Sequence, residues 1–176
     1  MGRIVIKKGD ITLESVDAIV NAANSYLSGG GGVDGAIHRA AGPRLYEECK
    51  KIISSIKYLE PGGAVITPAF NIKTVKYIIH TVGPIWRGGK NNEAKILENA
   101  YLNSLNIAKQ NNINTISFPS ISTGAYGYPV EEACKIALSV ISRNIDFFDE
   151  IRMVLFSDRD FEIYKTEYER KYIKNE

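Results

Sequence analysis

Short apolar runs alternate with longer amphipathic stretches along the whole chain, and this alternation restricts the fold more than any other feature. A brief continuous apolar run fits a buried strand, whereas apolar residues at three-to-four spacing fit a helix with one buried face. Strand-like runs cover Arg3 to Lys8, Ala18 to Asn21, Ala64 to Thr67, Val75 to Thr81, Thr115 to Phe118 and Ile151 to Phe156. Between them lie helical stretches at Val33 to Ala41, Arg44 to Ile53, Asn92 to Gln110, Val130 to Ser142 and Asp160 to Tyr172. The first two helices are separated at Gly42-Pro43. In the longest, Ile96, Leu97, Ala100, Tyr101, Ser104, Leu105 and Ala108 share one face. Strands alternating with helices predict a layered α/β fold with helices on both faces of a sheet. The 176 residues show no repeat, low-complexity linker or compositional break, so 1–176 reads as one domain.

Apolar residues make up 44% and charged residues 24%, which excludes a disordered chain, a coiled coil and a disulfide-stapled miniprotein. A chain of this length buries roughly 70% of its unfolded surface and needs no disulfide or structural metal. The 22 Lys plus Arg against 20 Asp plus Glu leave a net charge of +2, with the cations spread out. That argues against nucleic acid as the main partner. Cys49 and Cys134 stand far apart with no C-x-x-C, so neither a zinc site nor a disulfide framework is expected. Free thiols suit a reducing cytosol. The opening MGRIVIKKGD lacks the apolar core of a signal peptide, and no run approaches about 18 uninterrupted apolar residues. The expectation is a soluble cytoplasmic protein with no membrane partner.

In open α/β sheets the ligand crevice lies outside the carboxyl ends of the strands, so chemistry is sought in the loops that leave them. Three stand out. Gly9-Asp10-Ile11-Thr12 reads first as a turn in which Asp10 caps the next segment of chain. Its functional alternative is a carboxylate at the crevice edge, accepting from an exocyclic amine. The second loop, Asn21 to His38, carries Gly29, Gly30, Gly31 and Gly32 straight into an apolar helix. Such a run is costly in backbone entropy, and its usual return is backbone N–H groups and a helix N-terminus aimed at an anion. Asp34 and His38, four apart, share a face of that helix. Singly they read as a first-turn acid and a half-buried histidine; with Asn24 they make a polar cluster at the crevice mouth. The third loop, Ser117 to Pro129, offers hydroxyls and glycines to an anion, with Tyr126 placed to lie on a ligand ring and Pro129 suited to open the next helix. Two such loops at neighbouring strand ends suggest a ligand with two linked phosphates.

Gly30-x-Gly32-x-x-Gly35 matches the dinucleotide fingerprint literally. That fingerprint begins directly after a strand and is answered about 20 residues on by an acid for the ribose. Here the strand ends near Asn21, and the next strand leads into Pro68-Ala69 with no acid. A dinucleotide dehydrogenase is therefore set aside.

The runs GDIT, VDAIVNAANSYLSGGGGVDGAIHRAAG, IIHTVGPIW and FPSISTGAYGYP, in this order across nearly the whole chain, resemble the macro domain. With WRGGKNNE and the AYLNSL helix, the resemblance is greatest to the MacroD-like class and its bacterial O-acetyl-ADP-ribose deacetylase branch. It implies a three-layer α/β/α sandwich around a mixed six-stranded sheet that binds ADP-ribose. It further implies that Asp10, with Ile11 beside it, accepts from the adenine amine. Ala22, the loop Gly29, Gly30, Gly31, Gly32 and Val33, and the loop Ser122, Thr123, Gly124, Ala125 and Tyr126 would hold the diphosphate and distal ribose, Tyr126 against the ribose itself. Asn24, Asp34 and His38 match the polar set that separates hydrolytic members from ADP-ribose readers. The chain departs from the pattern at Tyr58-Leu-Glu-Pro-Gly62-Gly63, where relatives often carry Cys-x-Thr-Gly, and at Thr67-Pro-Ala-Phe70. Both departures bear on the peripheral surface and on partner preference.

The substrate so implied is ADP-ribose esterified at the distal ribose. The acid released is acetate from O-acetyl-ADP-ribose, or a Glu or Asp side chain of a mono-ADP-ribosylated protein. No metal set, Ser-His pair or Cys-His pair is visible, so the nucleophile is expected to be water, with no cofactor. Asp34 would position the water and partly deprotonate it, alone or with a substrate phosphate. That role needs burial to raise the carboxyl above its ordinary ~3.9. His38 would orient Asp34, and Asn24 would hold a ribose hydroxyl. His80 reads as structural, Trp86 and Arg87 as an edge of the crevice, and the two cysteines as helix packing. The competing readings are a non-catalytic ADP-ribose reader and a nucleic-acid-binding regulator using the same pocket. A monomer is expected.

Overall fold

The computed structural model describes residues 2–173. Its elements are β1 (Arg3–Lys8), β2 (Ala18–Ala22), α1 (Gly32–Ala41), α2 (Pro43–Ile56), β3 (Ala64–Pro68), β4 (Tyr77–Thr81), α3 (Glu93–Gln110), β5 (Thr115–Phe118), α4 (Val130–Asn144), β6 (Glu150–Leu155) and α5 (Asp158–Lys171). The six strands form one sheet in the order β1-β6-β5-β2-β4-β3. Every pairing is parallel except β3 with β4, so the sheet is mixed.

Both faces are covered because the central strands are apolar on both sides. Ile19 and Ile78 point into the layer of α1 and α2, with Ile37, Leu45 and Cys49. Ala18, Val20 and Ile79 point the other way, into a larger core with Leu97, Tyr101, Leu105, Ala137 and Ile141 of α3 and α4. Helices α3, α4 and α5 pack on one another over this second face. The result is the expected three-layer α/β/α sandwich. The consequence for function lies in β2 and β5. They are parallel neighbours, so the loops leaving their carboxyl ends emerge side by side.

Several element boundaries differ from those the sequence predicts, each for a local reason. Strand β4 opens at Tyr77 rather than Val75, because the N–H groups of both Lys76 and Tyr77 converge on the Asp17 carbonyl before the ladder begins. Helix α2 includes Pro43 at its first turn, where the missing N–H is harmless. Pro129 instead stands one position before α4, which begins at Val130. Helix α5 starts at Asp158, capped by the Ser157 hydroxyl, which accepts from the Asp160 N–H at 3.1 Å.

Candidate active site

A cleft of about 750 Å³ runs across the carboxyl ends of β1, β2, β5 and β6. All the residues expected to bind substrate line it, and so do Asn24 and Asp34. His38 does not. It lies behind Asp34, its ring packed near Gly29.

At one end, Asp10 caps the 3-10 turn Ile11–Leu13. Its Oδ1 accepts from the Thr12 N–H at 2.9 Å and the Thr12 hydroxyl at 2.7 Å. The other carboxylate oxygen has no hydrogen bond among the described residues, and Asp10 lines the cleft while capping the turn. Across from Asp10 stands Phe156, which the apolar run places at the end of a strand. The strand stops at Leu155, and the Phe156 side chain swings out to 81% exposure on the cleft wall. An aromatic directly after a parallel strand was the available signal.

At the other end the two glycine-rich loops face each other. Gly32 opens α1 at a φ of +58°, a conformation that favours glycine. No side chain caps this helix. Among the described residues, the N–H groups of Gly30, Gly31 and Gly32 have no backbone or side-chain partner outside the helix. The same holds for Gly124, Ala125 and Tyr126 in the loop opposite. The hydroxyls expected to help there are spent elsewhere. Ser122 donates to the Pro84 carbonyl at 2.8 Å, and Thr123 bonds back to Ser120. Backbone, not side chains, is what this loop offers an anion.

The loop is held in place from below. The buried Tyr101 hydroxyl of α3 accepts from the Ile121 N–H at 3.0 Å, and the Trp86 N–H donates to the Tyr126 carbonyl at 2.8 Å. Gly83, just past β4, has no room for a side chain: a β-carbon there would overlap Ser122 Oγ and come within 2.6 Å of Ile121 Cγ2.

Asp34, in the first turn of α1, is 7% exposed at the cleft floor. Burial raises its carboxyl above the ordinary aspartate value. The Asn21 hydrogen bond and then the charge of His38 pull the other way without cancelling it. The raised affinity for a proton that a base would need is therefore present.

The partner that orients Asp34 most closely is one that sequence reasoning missed. Asn21, fully buried in β2, donates through Nδ2 to Asp34 Oδ1 at 2.9 Å and lies 3.1 Å from His80 Nδ1. His80 Nε2 in turn sits 3.0 Å from Thr67 Oγ1, which donates to the Pro68 carbonyl. These partners leave one consistent assignment, with Nδ1 accepting and Nε2 protonated. Burial, helped by the charge of His38, pushes His80 down to about 3, so the ring is neutral. Asn21 thus ends a buried chain that points a donor at Asp34. His38 Nε2 is farther, 3.4 Å from the same oxygen.

Asn24 also lines the cleft, but most of its hydrogen-bonding capacity goes to its own loop. Its Oδ1 accepts from the Tyr26 N–H, the Ser28 N–H and the Ser28 hydroxyl, while Nδ2 donates to the Gly29 carbonyl. Asn24 shapes the glycine loop and keeps a single amide hydrogen for a ligand.

Cys49 and Cys134 are free and buried. Burial pushes their thiols up to about 11 and about 12, so both are inert packing residues as expected. Among the described residues, no three His, Cys, Asp or Glu side chains gather into a metal-binding cluster. No helix there is long and apolar enough to cross a membrane.

A three-layer sandwich with paired glycine loops over a buried aspartate defines a macro domain, and the chain belongs to that family. Residues 20–137 match the Macro domain family profile. A macro domain-containing protein of Caldanaerobacter subterraneus subsp. tengcongensis is 56% identical over 169 residues, covering 95% of this chain and 96% of that one. An O-acetyl-ADP-ribose deacetylase of Citrobacter rodentium is 58% identical over 143 residues, 81% of this chain and 80% of that one. The solved Oceanobacillus iheyensis macrodomain, in a mutant form with ADPR, superposes with a TM-score of 0.91 at 43% identity, covering 97% of this chain and 93% of that chain.

Proposed function

We propose that this protein is an ADP-ribose-binding ester hydrolase of the MacroD-like class. On this reading it deacetylates O-acetyl-ADP-ribose and also releases mono-ADP-ribose from glutamate or aspartate side chains of proteins. The observation that carries the reading is Asp34: a buried carboxylate of raised proton affinity, aimed by Asn21 into the cleft between two anion-binding loops.

Adenine lies between Asp10 and Phe156, with the free Asp10 oxygen on its amine. The diphosphate takes the backbone donors of Gly30 to Gly32 and Gly124 to Tyr126, and the distal ribose lies against Tyr126 near Asn24. Water beside Asp34 attacks the acyl carbon. Asp34 accepts its proton as the new C–O bond forms and returns a proton to the ribose oxygen as the acyl group departs. The products are free ADP-ribose and the carboxylic acid, with Asp34 regenerated. Holding ester and water in register can supply about 7 kcal/mol of the barrier reduction. Two buried free thiols suit a cytoplasmic protein, and we take the working form as a monomer.

The test compares wild type with Asp34→Ala on O-acetyl-ADP-ribose and on a protein mono-ADP-ribosylated at glutamate, with ADP-ribose affinity measured for both. Turnover lost while affinity survives supports the assignment. Tight binding with no turnover on either ester by the wild type makes the protein a reader.

A further inference from the structure

A second pocket, about 230 Å³, lies beyond the ribose end of the cleft. Gly83 and Tyr126 line both. Ser25, on the near wall of the second pocket, directly follows Asn24 of the first. A group attached to the distal ribose and leaving the cleft past Tyr126 meets this pocket first.

Its walls are mixed: Pro61, Ile85 and Ile96 give it an apolar side, Asn91 and Glu93 a polar one, and Arg87 stands at its rim. Ile85 is 46% exposed. Pro61 belongs to the Tyr58 to Gly63 segment, where the chain departs from the family pattern. Nearby on the surface, Tyr26 and Tyr58 are exposed and face each other with ring centroids 6.1 Å apart. The Leu59 N–H donates to the Ser25 carbonyl at 2.8 Å, which ties that segment to the cleft. An acetyl group would leave this surface empty.

The rim is rigid. Glu93, at the start of α3, accepts from the N–H groups of Arg87 and Gly89 on Oε2, at 2.8 and 3.2 Å, and from Asn91 on Oε1 at 2.7 Å. Three backbone donors satisfy that carboxylate. The Arg87 guanidinium has no ion pair or hydrogen bond among the described residues, although its backbone is fixed. An unpaired cation on a fixed backbone, beside the apolar faces of Pro61, Ile85 and Ile96, suits an extended chain carrying both an apolar side chain and a carboxylate.

We propose that this pocket is the acyl-side subsite: it receives the polypeptide flanking an ADP-ribosylated glutamate, an apolar neighbour entering between Ile85 and Ile96 and a nearby carboxylate pairing with Arg87. The proposal rests on the ester-hydrolase reading above. It makes the enzyme selective among protein esters by sequence, and indifferent to the same residues when the ester is acetyl.

Two peptides mono-ADP-ribosylated on one glutamate, with acidic or with lysine flanks, and O-acetyl-ADP-ribose are given to wild type and to Arg87→Glu. Wild type favours the acidic-flanked peptide in kcat/KM by about five-fold, the range of a rim ion pair. Arg87→Glu reverses the preference, chiefly through KM, and leaves acetyl-ester turnover unchanged. Equal losses on all three substrates, or no change in peptide preference, overturn the subsite while leaving the hydrolase standing. Acetyl-ester turnover with no peptide turnover by the wild type overturns it too. No turnover of any ester by the wild type overturns the hydrolase reading and the subsite with it.

Discussion

Asn21→Asp tests whether the protonation of Asp34 controls turnover. The change is nearly isosteric, and it puts a carboxylate oxygen where an amide hydrogen-bond donor now lies 2.9 Å from Asp34 Oδ1. A group that favours the ionised carboxylate becomes one that opposes it. A hydrogen bond to a charged partner is worth about 1.5–3 kcal/mol, or roughly 1–2 pKa units. The new like charge acts in the same direction, and at this distance the two carboxyls share one proton. Burial already raises Asp34, so the variant raises it further. The acid limb of the rate profile moves upward by at least about one unit, and at a fixed pH on that limb turnover falls about ten-fold for each unit. Turnover of O-acetyl-ADP-ribose measured from pH 5 to 9 should recover as the pH rises, with ADP-ribose affinity by calorimetry held. An acid limb that stays put or moves downward refutes Asp34 as the titrating base. A loss that is equal at every pH, with affinity falling in step, would instead make Asn21 a prop for the cleft.

Phe156→Ala removes an exposed ring that supports no core, so thermal stability should hold while ADP-ribose binding weakens by about 1–3 kcal/mol, the worth of one base stack; unchanged affinity for ADP-ribose would remove Phe156 from the adenine site. Gly83→Ala forces a β-carbon onto Ser122 and Ile121 and should cost ADP-ribose at least about ten-fold in affinity, since overpacking shifts backbone by costs of about 1–3 kcal/mol; calorimetry on the folded variant decides. His80 titrates near 3 when folded and near its ordinary 6.5 when unfolded. Its neutral form therefore contributes stability fully above pH 6.5, and the contribution is lost as pH falls from 6.5 toward 3. Urea unfolding between pH 7 and 5 should show a slope approaching one proton, about 1.4 kcal/mol per pH unit, which His80→Gln abolishes; an identical slope in the variant contradicts a neutral buried ring.

The elements were legible because their signals are local. A strand buried on both faces is a short apolar run, and the helix from Glu93 to Gln110 shows its face in spacing alone. The order of strands is not local: nothing in β2 says that β5 lies beside it, and the resemblance to a family supplied what periodicity could not. Within the site, glycine runs announced the loops, since few other demands justify four glycines before a helix. Asn21 escaped notice because it sits inside a strand as a buried polar residue, and its meaning depends on His80 and Thr67 from β4 and β3. Asn24 was visible, yet its four hydrogen bonds are to its own loop. Side-chain identity showed that polar chemistry was present there, whereas only the fold showed how much of it was already spent. Phe156 was hidden by a one-residue error at a strand end, which turns an exposed side chain into an apparently buried one.

Asp34 is subject to opposing fields, and the proposed substrate would change their balance. The first turn of a helix favours an anion by about 0.3–1 kcal/mol, the Asn21 donor favours it further, and burial opposes both and prevails. The loops of Gly30 to Gly32 and Gly124 to Tyr126 form one wall each of the same cleft. A diphosphate seated between them adds negative charge near a carboxylate in a poorly screened place. It also occupies the helix-terminal N–H groups that had favoured the ionised form. On the proposed mechanism both effects raise Asp34 again, so binding would make the base stronger as water is excluded. The profile of kcat/KM reports the free enzyme and that of kcat the bound complex. The acid limb of kcat should therefore lie above that of kcat/KM for O-acetyl-ADP-ribose. Coincident limbs, or a kcat limb at lower pH, would mean that the diphosphate does not act on Asp34 and that the loops contribute binding alone.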